Sequence, residues 1–212
     1  MTITLYTWDT PNGQKPAILL EELGLDYEVR AVDIGAGEQH DASFRAVSPN
    51  GKIPALTDGA VSLFESGAIL VHLAEREGRF LPSEGQARAD ALAWTFWQVG
   101  GLGPMIGQWG HFLNAEEKLP YAIERYLAET LRLYGVLETR LTERRFVTGD
   151  DYSIADMMIF PWAKGGLGFL EKAATNRLPP LDATRTWIDR VSSRPAVQRA
   201  LERIAALARK AT

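Results

Sequence analysis

The sequence has no cysteine among its 212 residues. A disulfide framework and a metal site built on thiolates are therefore excluded. Whatever nucleophile acts in this protein, it is not a thiol of the chain.

Histidine is also scarce, and positive charge is not in excess. The three histidines, His40, His72 and His111, are scattered without the spacing of metal ligands. The formal net charge of −4 leaves no basic stripe of the kind that neutralises phosphates. We therefore expect no metal, no nucleotide site and no nucleic-acid partner.

Long hydrophobic runs are missing as well. No apolar run is long enough to span a bilayer, and no basic segment leads into an apolar one at the N-terminus. We therefore expect no membrane association and a cytoplasmic location. The hydrophobic fraction of 46% and the charged fraction of 24% are typical of a globular protein, and the length suits two small domains.

The beginning of the chain predicts a strand, a tight turn and a helix. Residues 3–6 alternate as in a half-buried strand, and the apolar residues from Pro16 to Leu23 fall on one helical face. Backbone N–H groups at a helix start have no partner within the helix and favour an anion or a thiolate. Thr10 and Asn12 add a hydroxyl and a carboxamide at this position, so we interpret the turn as the functional centre.

The next segments predict a βαβ unit followed by a hairpin. Residues 27–32 form a second strand, and Asp58-Gly59 separates two further strands. Pro54 precedes the first of these strands. Base rates favour a trans bond, whereas a cis bond would turn the backbone of Ile53 outward to pair with an extended ligand.

Glu65 and Ser66 precede a further helix. Ser66 stands where an N-cap residue is expected, and its hydroxyl with the free N–H groups of the helix start could also hold a carboxylate. Glu65 beside it could accept a hydrogen bond from an ammonium group.

Beyond residue 78 the chain reads as helical. We predict an N-terminal α+β domain of residues 1–78 with the order βαβ-ββα, a linker of residues 79–86, and an all-α domain of residues 87–212. Pro104 should kink or break its helix, and the glycines just before it should allow another backbone to approach. Ser153 and Asp156 have the spacing of a capping box.

Several stretches together resemble a cytosolic glutathione transferase, and within that superfamily the bacterial nu class of disulfide-bond reductases. The resemblance lies in the segments Thr10-Pro11-Asn12-Gly13-Gln14-Lys15, Asn50-Gly51-Lys52-Ile53-Pro54, Phe64-Glu65-Ser66-Gly67-Ala68-Ile69-Leu70, Phe96-Trp97-Gln98-Val99-Gly100-Gly101-Leu102-Gly103-Pro104-Met105 and Glu124-Arg125-Tyr126. It implies a thioredoxin-like N-terminal domain, a helical second domain, a homodimer and a cis bond before Pro54.

The resemblance also implies a binding site for glutathione. By position, Thr10 and Asn12 would lie beside the glutathione sulfur, and Ile53, with Pro54, would pair through its backbone with the cysteinyl part. Glu65 and Ser66 would hold the γ-glutamyl end. Gln39, Lys52 and Arg125 would reach the glycyl end or a second glutathione.

Activation of the thiol would come from Thr10, Asn12 or Tyr6. Tyr6 ends the first strand, where its ring can equally be buried. A donor that favours the thiolate by about 1.4 kcal/mol lowers the thiol pKa by roughly one unit. A hydroxyl, an amide and helix-start N–H groups could supply this without a base.

Three functions remain open from the sequence. The first, which the nu-class resemblance implies, is reduction of small disulfides by two glutathione molecules, so that the site would hold two glutathiones or their disulfide. The second is conjugation of glutathione to a small apolar electrophile, with Trp97, Met105, Trp109 and Phe112 as candidate pocket residues. The third is a glutathione-binding or stress-regulatory module without turnover. Members of the class carry two adjacent histidines where this chain has Gly110 and His111.

Overall fold

The structure is a computed structural model that describes residues 2–210, except for the side chain of Lys210. The described residues form two compact units. One contains the chain up to Ser83 together with the residues from Ser192 onward, and the other runs from Glu84 to Val191. Residue 1 and residues 211–212, the outer ends of the predicted domains, lie outside the described residues.

The first unit is built on a four-stranded mixed sheet. Its strands are β1 (Ile3–Thr7), β2 (Tyr27–Ala31), β3 (Ala55–Asp58) and β4 (Val61–Phe64). In the order β2-β1-β3-β4, β1 is parallel to β2 and antiparallel to β3, and β3 pairs with β4 in the predicted hairpin. The parallel pair requires a crossover, which the helix after β1 provides.

The helices of this unit are α1 (Pro11–Leu23), α2 (Ala42–Arg45), α3 (Ser66–Glu77) and α9 (Pro195–Lys210), and a 3₁₀ turn at Glu38–His40 precedes α2. Helix α1 packs against both α3 and α9. Its core residues Ile18, Leu19 and Leu20 have no exposed surface. Gly24 ends α1 in the left-handed conformation that was expected of a helix-ending glycine.

Helix α9 was predicted as part of the helical domain, but it belongs to the first compact unit. Arg194 donates to both carboxylate oxygens of Glu22 on α1, and Arg199 donates to Glu21. These contacts join the end of the chain to its beginning. Helical periodicity carries no information about which domain a helix joins, so the sequence pattern could not assign α9 correctly.

The second unit consists of helices. They are α4 (Gly85–Trp97), α5 (Gly103–Asn114), α6 (Pro120–Leu141), α7 (Ile154–Ala173) and α8 (Asp182–Ser192), with a 3₁₀ turn at Thr175–Arg177. Trp109, Tyr134, Phe160 and Trp187 are the largest fully buried side chains of its described residues. A mixed sheet with its helices and a helical unit confirm the predicted α+β architecture.

The α-helix is interrupted just before Pro104, as expected. A π-helical stretch, Gln98–Leu102, separates α4 from α5, which begins at Gly103. The expected approach of another backbone at the glycines of this segment was wrong. A Cβ on Gly103 would lie 2.5 Å from the side-chain nitrogen of Gln98, and one on Gly101 would contact the Leu133 side chain.

The predicted capping box at the start of α7 is confirmed. Asp156 accepts a hydrogen bond from the Ser153 backbone N–H at 3.0 Å, and the Ser153 hydroxyl accepts from the backbone of the first turn. Within residues 2–210 no helix is both long and apolar enough to cross a membrane.

Candidate functional site

Three segments of the first unit meet at one edge of the sheet. Tyr6 near the end of β1 pairs with Ala55 at the start of β3, and Ala55 also pairs with Phe64 at the end of β4. The residues that follow β1, precede β3 and follow β4 therefore lie side by side. These are the segments that contain Thr10 and Asn12, Ile53 and Pro54, and Glu65 and Ser66.

The start of α1 is fixed by hydrogen bonds around Gly13. Thr10 is the N-cap residue, and its hydroxyl oxygen accepts from the Gly13 N–H at 3.1 Å. The Thr7 hydroxyl donates to the Gly13 carbonyl at 3.1 Å. Because the Thr10 oxygen accepts here, its own proton can be donated to a ligand at the helix start.

Asn12 lies in the first turn of α1 and is half-buried. Its side-chain oxygen accepts a hydrogen bond from the Nζ of Lys15 at 2.8 Å. Lys15 is only 2% exposed, and burial lowers the pKa of its ammonium group to about 7, while the charge of Glu65 acts in the opposite direction.

The Ile53–Pro54 peptide bond is cis, as the family resemblance implied. Pro54 is buried, whereas Ile53 is half-buried and packs against Val32, Phe44 and Ala55. The peptide groups of Ile53 make no backbone hydrogen bond to the described part of the chain. They are therefore available to an extended ligand that runs along this edge.

Ser66 was predicted as the N-cap of α3, and this was wrong by one residue. The helix begins at Ser66, and Glu65 occupies the N-cap position without a side-chain capping bond. Glu65 has a φ of 73°, which is uncommon for a residue with a side chain. Ser66 is buried in the first turn of α3, where its hydroxyl and the Glu65 carboxylate can serve a ligand.

Gln39 and Lys52 belong to neighbouring loops of the same unit. A Cβ on Gly51 would lie 3.3 Å from the backbone oxygen of Gln39, which brings Gln39 close to the residue before Lys52. The side-chain oxygen of Gln39 is buried and has no hydrogen-bond partner within residues 2–210. The Lys52 side chain is exposed.

Arg125 lies in the other unit, on α6. Its side chain is exposed, and its charge helps to hold the pKa of the Glu129 carboxyl below its usual value, although Arg132 contributes more. The role of Arg125 in binding stays a prediction.

Tyr6 does not face the start of α1. Its ring packs on Phe44 with centroids 6.2 Å apart, and the Arg30 guanidinium lies 5.6 Å from the ring centre. The neighbouring Thr7 points to the side of α1, and successive side chains of a strand point to opposite faces. Of the three residues considered for thiol activation, only Thr10 and Asn12 lie at the helix start.

Lys15 is the residue of this site that the sequence interpretation missed. It follows Asn12 by three positions, so both side chains lie on the same helical face. The available signal in the sequence was that this lysine stands four positions before Leu19, on the apolar face of the predicted helix. In the described range no three histidine, aspartate or glutamate side chains are grouped as metal ligands.

Comparison with known proteins agrees with this arrangement. The profile of the glutathione S-transferase N-terminal domain matches residues 1–75, and that of the C-terminal domain matches residues 120–203. The disulfide-bond oxidoreductase YfcG of Escherichia coli (strain K12) is 47% identical over 207 residues, which cover 94% of each chain.

Two solved structures are similar over almost the whole chain. A glutathione transferase family member from Pseudomonas fluorescens pf-5, with two glutathione molecules bound, has a TM-score of 0.89 and 39% identity over 95% of this chain and 92% of its own. A glutathione transferase from Pseudomonas putida, with one glutathione disulfide bound per subunit, has a TM-score of 0.86 and 36% identity over 95% of this chain and 91% of its own.

Proposed function

Because the chain belongs to the glutathione S-transferase family, we propose that it is a glutathione-dependent disulfide-bond reductase that uses two glutathione molecules as its reducing thiols. The absence of cysteine carries this proposal. Relatives with this fold hold two glutathione molecules or their disulfide, so both sulfurs needed for the reduction can come from bound glutathione.

The reaction consists of two thiol–disulfide exchanges. In the first, a glutathione thiolate attacks one sulfur of the substrate disulfide, a mixed disulfide forms, and the other substrate sulfur leaves as a thiolate that takes up a proton. In the second, a second glutathione thiolate attacks the glutathione sulfur of the mixed disulfide. Glutathione disulfide and a second substrate thiol result, so two electrons pass from two glutathiones to the substrate.

Thr10 and Asn12 have the catalytic role in this proposal. A free thiol has a pKa of about 8.5 and is mostly protonated at neutral pH. The Thr10 hydroxyl proton, the Asn12 amide and the partial positive charge of the α1 start all favour the thiolate. Their effect is a modest lowering of the thiol pKa, which suits an attacking thiol because a very low pKa reduces nucleophilicity.

The other predicted residues would hold the rest of glutathione. The backbone of Ile53, next to Pro54, would pair with the cysteinyl part, and Glu65 and Ser66 would bind the ammonium and carboxylate of the γ-glutamyl end. Gln39, Lys52 and Arg125 would contact the glycyl carboxylate or the second glutathione. The buried Gln39 side-chain oxygen, which has no hydrogen-bond partner within residues 2–210, supports the assignment of Gln39, since buried polar atoms normally have partners.

The proposal is tested by measuring two activities in parallel. Glutathione-dependent reduction of 2-hydroxyethyl disulfide and conjugation of 1-chloro-2,4-dinitrobenzene should be compared in wild type, Asn12→Ala and the control Asn114→Ala. Asn114 is an exposed residue of α5 whose side chain donates to the Gly110 carbonyl within its own helix. We expect fast reduction and weak conjugation, a loss of both in Asn12→Ala, and no change in Asn114→Ala.

The dependence on glutathione concentration separates the alternatives. Two bound glutathiones predict a rate of disulfide reduction that rises with more than the first power of glutathione before saturation. A stable thioether product with faster conjugation would replace the proposal by a conjugating transferase. Glutathione binding without either activity would leave a binding or regulatory module.

The structure corrects one candidate residue of the conjugation hypothesis. Trp109 has no exposed surface and packs on Phe169 with ring centroids 4.5 Å apart. Trp97 and Met105 are half-buried, and Phe112 stacks on Tyr126. Trp109 is therefore a core residue and not part of a pocket lining.

The proposed enzyme is a homodimer that works in the cytoplasm, where reduced glutathione is the thiol supply. Val61 and Phe64 on the edge strand β4 are each 38% exposed, and Phe96 on α4 is 65% exposed. Exposed apolar residues of this size are suited to an interface. Sedimentation equilibrium should give the mass of two chains, and Phe96→Glu should shift the mass toward that of one.

A further inference from the structure

The ammonium group of Lys15 lies in a buried position, where a positive charge is energetically unfavourable. Lys15 is 2% exposed and is among the largest fully buried side chains of the described protein. Lysine is almost never fully buried unless it is paired, because removing its charge from water is unfavourable. Its Nζ lies 2.8 Å from the Asn12 side-chain oxygen, at the start of the helix where the proposed thiol chemistry takes place.

This contact defines which way the Asn12 carboxamide faces. A protonated lysine has three donors and no acceptor, so only the oxygen of Asn12 can face it. The NH₂ group of Asn12 must then point away from Lys15. If Lys15 did not bind the oxygen, the Asn12 carboxamide could rotate by 180° and turn its oxygen toward the ligand. An oxygen in that position would repel a thiolate instead of donating a hydrogen bond to it.

The charges around Lys15 come from several elements. Glu65 at the start of α3 favours the protonated form, and burial disfavours it more strongly, so that the Lys15 pKa falls to about 7. Asp9, before α1, accepts instead from Gln14. Arg194 just before α9 pairs with Glu22, and Arg199 and Arg203 of α9 pair with Glu21, near the other end of α1.

We propose that Lys15 is a positioning residue, which holds Asn12 by its oxygen so that the NH₂ group is presented to the glutathione sulfur. The inference rests on the proposed function, because it takes the sulfur to lie beside Asn12. It assigns no bond-making step to Lys15, which acts on the thiol through Asn12.

Protonation of Lys15 and ionisation of the thiol favour each other. A thiolate beside Asn12 stabilises the ammonium form, and the ammonium form stabilises the thiolate, by the same free energy. Neutral Lys15 has a lone pair that can accept a hydrogen bond from the Asn12 NH₂ group. Both orientations of the Asn12 carboxamide are then possible. Orientation and thiol activation are therefore both weakened when Lys15 loses its proton.

Lys15→Met tests the role, because methionine fills a similar volume without the charge. The matched control is Gln14→Met, on the same helix and with its side chain bound to Asp9. The ultraviolet absorbance of the thiolate gives the pKa of bound glutathione, and steady-state kinetics give kcat and KM separately. We expect Lys15→Met to raise the bound-thiol pKa by about one unit and to lower kcat about tenfold, with little change in KM.

The double variant Lys15→Met with Asn12→Ala supplies the second comparison. If Lys15 acts through Asn12, the double variant has the same bound-thiol pKa and kcat as Asn12→Ala alone. Additive losses would overturn the proposal. So would a Lys15→Met protein with the wild-type thiol pKa, or a Gln14→Met protein with the same defect as Lys15→Met.

A measurement on the wild type separates this inference from the proposed function. The Lys15 pKa is followed by NMR of ¹³C-labelled lysine in the presence of glutathione or S-methylglutathione, which has no ionisable thiol. Glutathione should raise the Lys15 pKa, whereas S-methylglutathione should not. The difference in Lys15 pKa between the two ligands should be smaller in Asn12→Ala. Equal Lys15 pKa values with the two ligands would overturn the role of Lys15. If the Lys15 pKa differs between the ligands but the protein does not reduce disulfides, only the proposed function is overturned.

Discussion

Trp187 donates its indole N–H to the carboxylate of Asp156, with 2.9 Å between Nε1 and Oδ1, although the two residues are 31 positions apart. The same carboxylate accepts from the backbone N–H groups of Val147 and Ser153. Asp156 is completely buried, and burial raises the pKa of its carboxyl, while these hydrogen bonds act in the opposite direction. One side chain therefore joins the start of α7, the segment before it and α8.

Asp156→Ala should destabilise the protein by roughly 3 kcal/mol or more, because the N–H groups of Val147, Ser153 and Trp187 and the Ser153 hydroxyl lose their acceptor together. Urea unfolding followed by circular dichroism measures the loss. Asp151→Ala, an exposed neighbour, is the control and should change the free energy of unfolding by less than about 0.5 kcal/mol. Equal stabilities of the two variants would contradict the role of Asp156.

Lys15→Met should change how stability depends on pH. The ordinary lysine pKa of 10.5 is lowered to about 7 in the folded chain. Between these values the unfolded chain binds a proton that the folded chain does not, so the Lys15 contribution to the free energy of unfolding rises with pH. Wild type should therefore be less stable than Lys15→Met at pH 7, and the difference should shrink by roughly 2 kcal/mol between pH 7 and pH 9.

This prediction is checked by urea unfolding at several pH values without glutathione. The difference in free energy of unfolding between wild type and Lys15→Met removes the contributions of the other titrating groups, which are the same in both proteins. Gln14→Met should run parallel to wild type across the whole range. A difference between wild type and Lys15→Met that stays constant with pH would show that Lys15 is not held in a buried, partly neutral form.

Gly13→Ala should be destabilising and should weaken glutathione binding. A Cβ at Gly13 would lie 2.1 Å from the Trp8 carbonyl oxygen and 2.4 Å from the Thr7 hydroxyl, so the start of α1 would have to move. Gly135→Ala on α6 is the matched control, since a Cβ there meets nothing within 4 Å. It should stabilise the protein by about 0.5–1 kcal/mol. Thermal unfolding and glutathione titration of both variants provide the comparison.

Tyr6→Phe should retain disulfide reduction, whereas Thr10→Val should lose about tenfold or more in kcat. The Tyr6 ring packs on Phe44, on the face of the sheet opposite to Thr7 and α1. Thr10 is at the helix start, and valine keeps its shape without the hydroxyl proton. Because Thr10→Val also removes an N-cap, worth about 1 kcal/mol, both variants are assayed at a temperature where they are folded. A large loss in Tyr6→Phe would contradict the assignment.

The sequence alone determined the features that depend on neighbouring residues. The strand and turn before α1, the hairpin at Asp58 and the capping box of Ser153 and Asp156 were all predicted, and the structure confirms them. Each rests on contacts within about four positions of the chain, which composition and spacing can report. The cis bond before Pro54 came from the family resemblance, since a lone proline favours trans.

The tertiary structure decided everything that requires distant segments to meet. Three features depend on packing between elements. They are the burial of Lys15 beside Asn12, the hydrogen bond from Trp187 to Asp156, and the packing of α9 in the first unit. The face of Tyr6 also became clear only with the register of the sheet. Sequence patterns show which side of an element is apolar, but a buried polar contact is defined by the partner that packing brings to it.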